Sequence, residues 1–310
     1  MTGNASPQTP IARLLHLAAN QEGAFTSAQA LDLGLTYHQI SAMVERGLAR
    51  RRRRGTYVVA GTPDTPERRT MEAVLSGPPG CVASHESAAY LLGLTSAPSQ
   101  AHVTVGPTER LRLDGVVAHR SPLPPSHVAM VGRIPVTSLA RTIVDLASVS
   151  ELDRLAEVMD PLLVSGRLRP SRLLRVVDDI VDAPGRHGTA LLRTALEVWT
   201  DPIAPGSAAE VRLLRRLRER GFDGYVTQHE VPVGEARFRV DVAWPDARVL
   251  LEYSGKAFHG PRRWSRDEER AEQIIALGWD HREVDAGDLV PGASALWRWL
   301  DSHLGMRRAA

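Results

Sequence analysis

Two apolar runs around a short turn constrain the fold of this chain more than any other feature. The runs RFRVDVAW (237–244) and RVLLEYS (248–254) flank Pro245–Ala247, a segment rich in turn-forming residues. We expect the runs to pair as an antiparallel hairpin, because a one-residue slip would mix apolar and polar side chains on both faces. The predicted register pairs Trp244 with Val249, Val242 with Leu251 and Val240 with Tyr253.

The same register places two carboxylates, Asp241 and Glu252, directly opposite each other, with Cβ atoms about 4.5–5.5 Å apart. Like charges at this distance repel, and burial raises the cost, so the pair predicts a shared proton or a bound cation. Mg²⁺ suits such a pair, since it takes one or two protein carboxylates and fills its remaining positions with water and phosphate. The alternative is a solvated face on which Arg237 and Arg239 neutralise the two acids.

Glu210 is the candidate third carboxylate. It leads a helical stripe of leucines in SAAEVRLLRRLRERG, so we expect it to point toward the sheet on which the stripe is buried. The alternative is an ordinary acid at a helix N-terminus, favoured by the helix dipole. Three arginines of this helix are predicted to lie off the stripe and to face solvent or nucleic acid: Arg212, Arg215 and Arg216.

Lys256 is the only lysine in a chain with 38 basic residues. If the extended strand continues past Gly255, Lys256 shares a strand face with Glu252. A lysine at that position can orient an attacking water or stabilise the charge that develops on a phosphate in a transition state. We therefore include it among the candidate catalytic residues.

The C-terminal region, residues 205–303, resembles a known family. Glu210 and the motifs VDVAW, LLEYSG, AFHG, RDEER and LGW are similar to those of the very-short-patch-repair-like endonuclease domain of actinobacterial proteins, a branch of the PD-(D/E)XK nuclease superfamily. The resemblance implies an α/β sandwich and Mg²⁺-dependent hydrolysis of DNA phosphodiesters. It further implies these site residues: Asp241 and Glu252 as metal ligands, Glu210 as the helix carboxylate, and His259, Asp267 and Arg270 lining the site.

The sequence departs from that pattern at Ser254, where the family has E-x-D-G and the wider superfamily has E-x-K. Serine supplies neither a carboxylate nor a cation, so two hypotheses stay open. In the first, Lys256 replaces the missing residue and the domain is a metal-dependent DNA endonuclease. In the second, the domain is an inactive nuclease fold within a non-enzymatic DNA-binding regulator.

Residues 11–61 predict three short helices followed by a hairpin with its turn at Gly55, which is the order of a winged helix-turn-helix domain. Six arginines and no acid fall within nine residues, a pattern that favours contact with backbone phosphates, although a solvated charge run is the alternative. The N-terminal part of a recognition helix reaches base edges. The predicted DNA-binding residues are Tyr37, His38, Gln39, Arg46, Arg50, Arg51, Arg52, Arg53 and Arg54, with Ser41 and Ala42 as further positions near the bases.

The segment GAFTSAQALDLGLTYHQISAMVERGLARRRRRGTYVVAG is similar to the winged-helix domain of AbiEi-like antitoxins of type IV toxin-antitoxin systems. The resemblance covers residues 12–61 and extends into ASHESAAYLLGL and IPVTSLARTIVDLA of the middle region. It implies a DNA-binding repressor or antitoxin module, with double-stranded DNA and a toxin protein as partners.

The middle region, residues 62–200, predicts a mixed helical and β domain. Its His85 and Glu86 suggest a catalytic pair, but the first turn of a helix explains them as well and is the interpretation that we favour. Helices from residue 136 onward are expected to break at Pro161, Pro170 and Pro184, and Thr200–Ser207 is the predicted linker. The fold class is therefore α+β and multidomain.

The composition of the chain excludes some classes of structure and of metal site. The single cysteine, Cys81, excludes an intramolecular disulfide framework and a multi-cysteine zinc site. A net charge of +2 gives no preference for or against nucleic acid, so the distribution of charge must decide. The start of the chain has no secretory signal pattern and no apolar run is long enough to span a bilayer, so we expect a soluble cytoplasmic protein with no membrane partner.

Overall fold

The chain divides into two compact units. They are Met1–Met159 with Leu168–Arg193, and Asp160–Arg167 with Thr194–Ala310. The structure, a computed structural model, describes residues 9–180, 188–199, 207–234, 236–253, 270–290 and 292–305. Within these residues, no helix is both long enough and apolar enough to cross a membrane.

Capping boxes define the short helices at the start of the first unit. Thr26 Oγ1 accepts the N–H of Gln29 at 3.1 Å, and the Gln29 side chain accepts the N–H of Thr26 at 2.9 Å. Thr36 and Gln39 repeat this exchange at 3.2 and 2.8 Å. Both boxes satisfy main-chain donors that a helix start leaves free. The elements here are α1 (Pro10–Ala19), β1 (Ala24–Thr26), α2 (Ser27–Asp32), α3 (Tyr37–Glu45), β2 (Ala49–Arg53) and β3 (Thr56–Val59).

The three strands form an antiparallel sheet of order β1-β3-β2. The predicted turn at Gly55 is confirmed, with a φ of +74° that favours glycine. The register shifts between Arg51↔Tyr57 and Arg53↔Thr56, so Arg52 is the extra residue of a β-bulge. Three helices followed by a hairpin are confirmed, and β1 is a strand that the sequence pattern did not predict.

The rest of the first unit is built on a five-stranded sheet of order β6-β5-β4-β8-β7, so β6 and β7 are its edges. The buried core on this sheet includes Met71, Val103, Val105, Ile134 and Val136. The elements that follow β3 are α4 (Pro66–Leu75), β4 (Val82–Ala83), α5 (His85–Leu91), β5 (Ala101–Val105), β6 (Val116–Arg120), β7 (Val128–Val131), β8 (Ile134–Thr137), α6 (Leu139–Leu146), α7 (Leu152–Val164), α8 (Pro170–Asp178) and α9 (Thr189–Leu196).

The predicted helix break at Pro161 is wrong, because α7 continues through it to Val164. The helix runs only three residues beyond the proline, so the missing N–H removes one main-chain bond from the last turn without interrupting the helix. Pro170 does separate helices, since it is the first residue of α8. Pro184 and most of the predicted linker at 200–207 lie outside the described residues.

The second unit contains a four-stranded mixed sheet of order β12-β11-β10-β9, in which β11 and β12 are parallel. The predicted hairpin register is confirmed for Trp244↔Val249 and Val242↔Leu251. Residues 270–276 are helical. The labelled elements are α10 (Ala208–Glu219), β9 (Val226–Val233), β10 (Ala236–Trp244), β11 (Val249–Tyr253), β12 (Asp280–Val284) and α11 (Ala295–Leu304).

The predicted leucine stripe of α10 is confirmed as a core element. Leu213 and Leu217 pack in one cluster with Val242, Leu251 and Trp297. A second cluster contains Val231, Val240, Ala243, Leu250 and Ile274. Burial of these clusters stabilises the sheet by roughly 25 cal/mol for each Å² of apolar surface removed from water.

Arg215 is buried, which corrects the prediction that it faces solvent or nucleic acid; its exposure is 5%. Its guanidinium donates to both carboxylate oxygens of Asp160, at 2.9 and 3.3 Å, and to the carbonyl of Ala195 at 3.0 Å. Trp199 Nε1 also donates to Asp160, at 3.3 Å. Asp160 is remote in sequence, so the spacing of the leucines gives no sign of this buried partner.

We expect Asp160→Ala to lower the free energy of unfolding of the second unit by roughly 3–5 kcal/mol, because it leaves the Arg215 charge buried without its partner. Urea unfolding followed by tryptophan fluorescence measures this unit alone, since all six tryptophans lie between residues 194 and 310. The control is Arg237→Ala, which removes an exposed pair with Glu230 and should cost about 1 kcal/mol or less. Equal losses in the two variants would contradict the assignment.

Candidate functional site

The predicted base-reading residues lie on the N-terminal turn of α3. Tyr37 is 67% exposed, and His38 and Gln39 are exposed beside it. The Gln39 side-chain oxygen already accepts the N–H of Thr36, so only its amide nitrogen stays available to a ligand. Tyr37 and His38 are therefore the stronger candidates for contact with base edges.

The six predicted phosphate-binding arginines separate into two groups. Arg52 pairs with Glu72 at 3.2 Å, and Arg53 donates to the carbonyl of Asp114 at 3.1 Å. These two arginines have partners within the protein, and contact of all six with DNA stays a prediction. Four exposed arginines have no side-chain partner within the described residues: Arg46, Arg50, Arg51 and Arg54.

Glu72 anchors the wing, which is the β2–β3 hairpin, to α4. Its side chain is only 3% exposed and contacts two guanidinium groups, that of Arg68 at 3.0 Å and that of Arg52 at 3.2 Å. A buried carboxylate needs such partners, because desolvation penalises its charge. The bulge places Arg52 beside Glu72, although its side chain is still 45% exposed, and Arg50 and Arg51 are exposed beside it on the strand.

In the second unit, the structure brings the predicted carboxylates together around Asp241. The Asp241 carboxylate accepts the main-chain N–H of Tyr253 at 2.8 Å and the side-chain amide of Gln228 at 3.4 Å. The same Gln228 amide donates to Glu210 at 3.1 Å. Burial raises the pKa of Asp241; the Tyr253 N–H opposes this shift, and the charges of Glu210 and Glu252 add to it.

Glu252 is held by two basic side chains. One carboxylate oxygen lies 2.5 Å from Arg270 and the other lies 3.0 Å from His281. Arg270 also donates to the carbonyl of Arg239 at 2.6 Å, and its guanidinium lies 5.3 Å from the centroid of the Phe238 ring. The alternative of a solvated face neutralised by Arg237 and Arg239 does not describe this arrangement, since Arg270 and His281 are the groups that contact Glu252.

Four predicted site residues therefore meet: Glu210, Asp241, Glu252 and Arg270. Their predicted neighbours Ser254, Lys256, His259 and Asp267 lie outside the described residues. In the described part of the chain, no group of three or more histidine, cysteine, aspartate or glutamate side chains is arranged to hold a metal ion.

The sequence analysis missed two residues of this site, Gln228 and His281. Gln228 was accessible to the same register argument, because the β9–β10 pairs Val240↔His229 and Val242↔Thr227 leave it opposite Asp241. His281 was not accessible, since β12 pairs with β11 in parallel and no short turn fixes that register.

A cluster of three histidines in the first unit was also missed. The rings of His85 and His119 stack with centroids 3.5 Å apart, and His102 Nδ1 lies 3.2 Å from His119 Nε2. His85 and Glu86 do begin α5, as predicted. Burial lowers the pKa of His85 to about 3, with the charges of His102 and Arg141 acting in the same direction. Burial also lowers the pKa of His119 to about 3.

Comparison with known proteins gives a family for the N-terminal part. Residues 12–60 match the family described as "Transcriptional regulator, AbiEi antitoxin". The expected antitoxin resemblance over this segment is confirmed, and it supports a DNA-binding, regulatory role. The matched residues end just after β3, so they bear on the winged-helix part alone.

Longer similarity exists to uncharacterized proteins of two strains of Mycobacterium tuberculosis. Each is 29% identical to this chain over 188 residues, which is 58% of this chain and 65% of the relative. The chain thus spans less than two thirds of the length of these relatives.

The neutral histidine cluster predicts that acid destabilises the first unit. Because the folded-state pKa of His85 lies below the unfolded value of about 6.5, the unfolded state binds more protons between these two pH values. The contribution of His85 to the free energy of unfolding is fully present above about pH 6.5 and decreases as the pH falls toward 3. The slope of this decrease is up to about 1.4 kcal/mol per pH unit. His85→Asn, which tolerates the left-handed φ of +50°, should reduce this slope.

The measurement is the rate at which a thiol reagent that works in acid labels Cys81 in urea. At each pH this rate is divided by the labelling rate of the fully unfolded chain. Cys81 is the only cysteine and is 4% exposed, so its labelling reports opening of the first unit. His38→Asn, an exposed histidine of α3, is the control and should leave the slope unchanged. An identical slope in wild type and His85→Asn would refute the prediction.

Proposed function

We propose that this protein is a DNA-binding transcriptional regulator of the antitoxin type that contacts duplex DNA with α3 and the β2–β3 wing. The observation that carries the proposal is the set of four exposed arginines, Arg46, Arg50, Arg51 and Arg54, beside the exposed first turn of α3. Guanidinium groups without carboxylate partners are free to replace counterions on backbone phosphates. The antitoxin family match over the same residues supports the proposal.

Recognition then divides between two groups of side chains. The wing arginines supply affinity that is independent of sequence, while Tyr37 and His38 at the start of α3 contact base edges. Arg52 and Arg53 position the wing and contribute less to the contact with DNA, since Glu72 and the Asp114 carbonyl already hold them. We propose a toxin protein as a further partner, because the matched family is described as an antitoxin.

Arg50→Ala combined with Arg51→Ala should weaken binding to every duplex sequence and should reduce the slope of log K against log salt by about 0.9 for each phosphate that is no longer neutralised. Fluorescence anisotropy with labelled duplex DNA over a range of salt concentrations measures both effects. Arg237→Ala, an exposed arginine of the second unit, is the matched control. Unchanged affinity and slope in the double variant would rule out the wing as the DNA-binding surface.

We propose as a second candidate function that residues 205–303 form a PD-(D/E)XK-like endonuclease domain. The observation that favours it is the meeting of Glu210, Asp241 and Glu252, which surrounds a partly buried carboxylate with like charges. The three carboxylates offer only oxygen donors, and burial together with the neighbouring charges raises the pKa of Asp241. Both features fit Mg²⁺, because a hard cation binds oxygen ligands and offsets the repulsion between their charges. Bound there, Mg²⁺ would supply a Lewis acid for hydrolysis of DNA phosphodiesters.

In this second function, Asp241 and Glu252 hold the metal and Glu210 is the helix carboxylate. Gln228 orients Asp241 and Glu210 through its amide. Glu252 would hold the cation with an oxygen that now contacts Arg270 or His281. Arg270 is then free to contact a phosphate, while Lys256 and His259 stay predicted catalytic residues.

Asp241→Asn tests the second function with two readouts. In the wild type, Mn²⁺ or Mg²⁺ should raise the melting temperature of the second unit and permit nicking or cleavage of duplex DNA. The variant should lose both effects, because it removes a charged ligand. Asp246→Asn in the exposed β10–β11 turn is the control. A wild-type protein that binds DNA but shows neither metal stabilisation nor cleavage would leave the regulator as the function.

A further inference from the structure

A basic cavity lies at the β6 edge of the five-stranded sheet. It has a volume of about 340 Å³ and is lined by Arg110, Leu111, Arg112, Ala118 and Arg120. The three arginines line its wall, and two of them belong to the segment 106–115 that leads into β6. The cavity lies beside β6, which is an edge strand of this sheet.

The charge of this cavity is not neutralised by the protein. Among the described residues, no carboxylate forms an ion pair with Arg110, Arg112 or Arg120. The nearest acids in sequence, Glu109 and Asp114, are exposed and do not line the cavity. Three guanidinium groups around one concave site match a phosphate ester, which accepts several charge-assisted hydrogen bonds at once.

The cavity segment is joined to the wing. Arg53 donates to the main-chain carbonyl of Asp114 at 3.1 Å, so the C-terminal end of β2 contacts the segment that carries Arg110 and Arg112. Arg53 is a half-buried member of the arginine run, while Arg54 beside it is exposed. This bond places the cavity segment next to the C-terminal end of β2 in the wing.

We propose that the cavity is a second phosphodiester-binding site, which holds the backbone of the same DNA duplex beyond the stretch contacted by the wing. The inference rests on the proposed DNA-binding function and deepens it. The ligand chemistry is a phosphate ester, and the position of the cavity segment next to the wing favours the DNA backbone over a free phosphorylated small molecule. Leu111 and Ala118 present small apolar surfaces between the cations, which suits the sugar next to a phosphate.

A longer duplex should therefore bind more tightly than a short one, and the difference should depend on the cavity. The variant is Arg110→Ala with Arg112→Ala and Arg120→Ala in the full chain. Its matched control is Arg133→Ala, an exposed arginine in the β7–β8 turn at the other edge of the same sheet. Anisotropy is measured with duplexes of about one and about two helical turns, roughly 10 and 20 base pairs, over a salt series.

The wild type and Arg133→Ala should bind the longer duplex at least several-fold more tightly than the short one. The triple variant should lose that preference and reduce the salt slope by about 0.9 for each phosphate it no longer neutralises, while binding the short duplex as the wild type does. Cys81 labelling confirms that the first unit of the variant is folded. If the triple variant keeps the full preference while the Arg50→Ala, Arg51→Ala variant loses affinity, the inference is wrong and the proposed function stands.

If neither variant changes DNA binding, both the inference and the proposed function are wrong. The source of the phosphate is tested by adding inorganic phosphate or a nucleoside monophosphate without DNA. Stabilisation of the wild type but not of the triple variant, with an unchanged preference for the longer duplex, would assign the cavity to a small molecule and overturn the inference.

Discussion

The buried carboxylate of Glu72 joins the wing, which is the proposed DNA-binding surface, to the rest of the first unit. It lies on α4 and requires two cations, which Arg68 supplies from the same helix and Arg52 supplies from the wing. The pair with Arg52 contributes less than a fully buried pair would, because the Arg52 side chain is 45% exposed and water screens its charge. The β-bulge places Arg52 beside Glu72, while Arg50 and Arg51 lie next to it on the strand without a carboxylate partner among the described residues.

Local patterns predicted local structure well. The hairpin register followed from the alternation of apolar residues, and the three short helices and hairpin of residues 11–61 followed from apolar spacing and turn residues. Both depend on residues close in sequence. The roles of Arg52 and Arg215 could not be predicted, because each depends on an acid remote in sequence, Glu72 or Asp160, whose position only the tertiary fold determines.

In the candidate site of the second unit, too, sequence patterns predicted some of the residues and missed others. Hairpin arithmetic led to Asp241 and Glu252, and applied to β9 and β10 it leads to Gln228 as well. It could not reach His281, which lies on a parallel strand, nor the choice of Arg270 as partner of Glu252. Glu252 contacts Arg270 and His281, and the cation between the carboxylates stays a prediction. Carboxylates that would bind a metal also bind basic side chains. A pattern of carboxylates in the sequence therefore does not distinguish a metal site from a set of ion pairs.

The net charge of the chain is only +2, which gives no preference for or against binding of nucleic acid. The positions of the arginines are more informative than the net charge. Arginine serves as a buried ion-pair partner at Arg68, Arg141 and Arg215, where its planar fork contacts a carboxylate and, in each case, a main-chain carbonyl. These residues cannot contribute to a ligand surface, however basic the local sequence. The proposed function rests on the arginines that lie at the surface without a carboxylate partner among the described residues. They include those of the wing and of the β6 edge, two surfaces that the Arg53–Asp114 hydrogen bond joins.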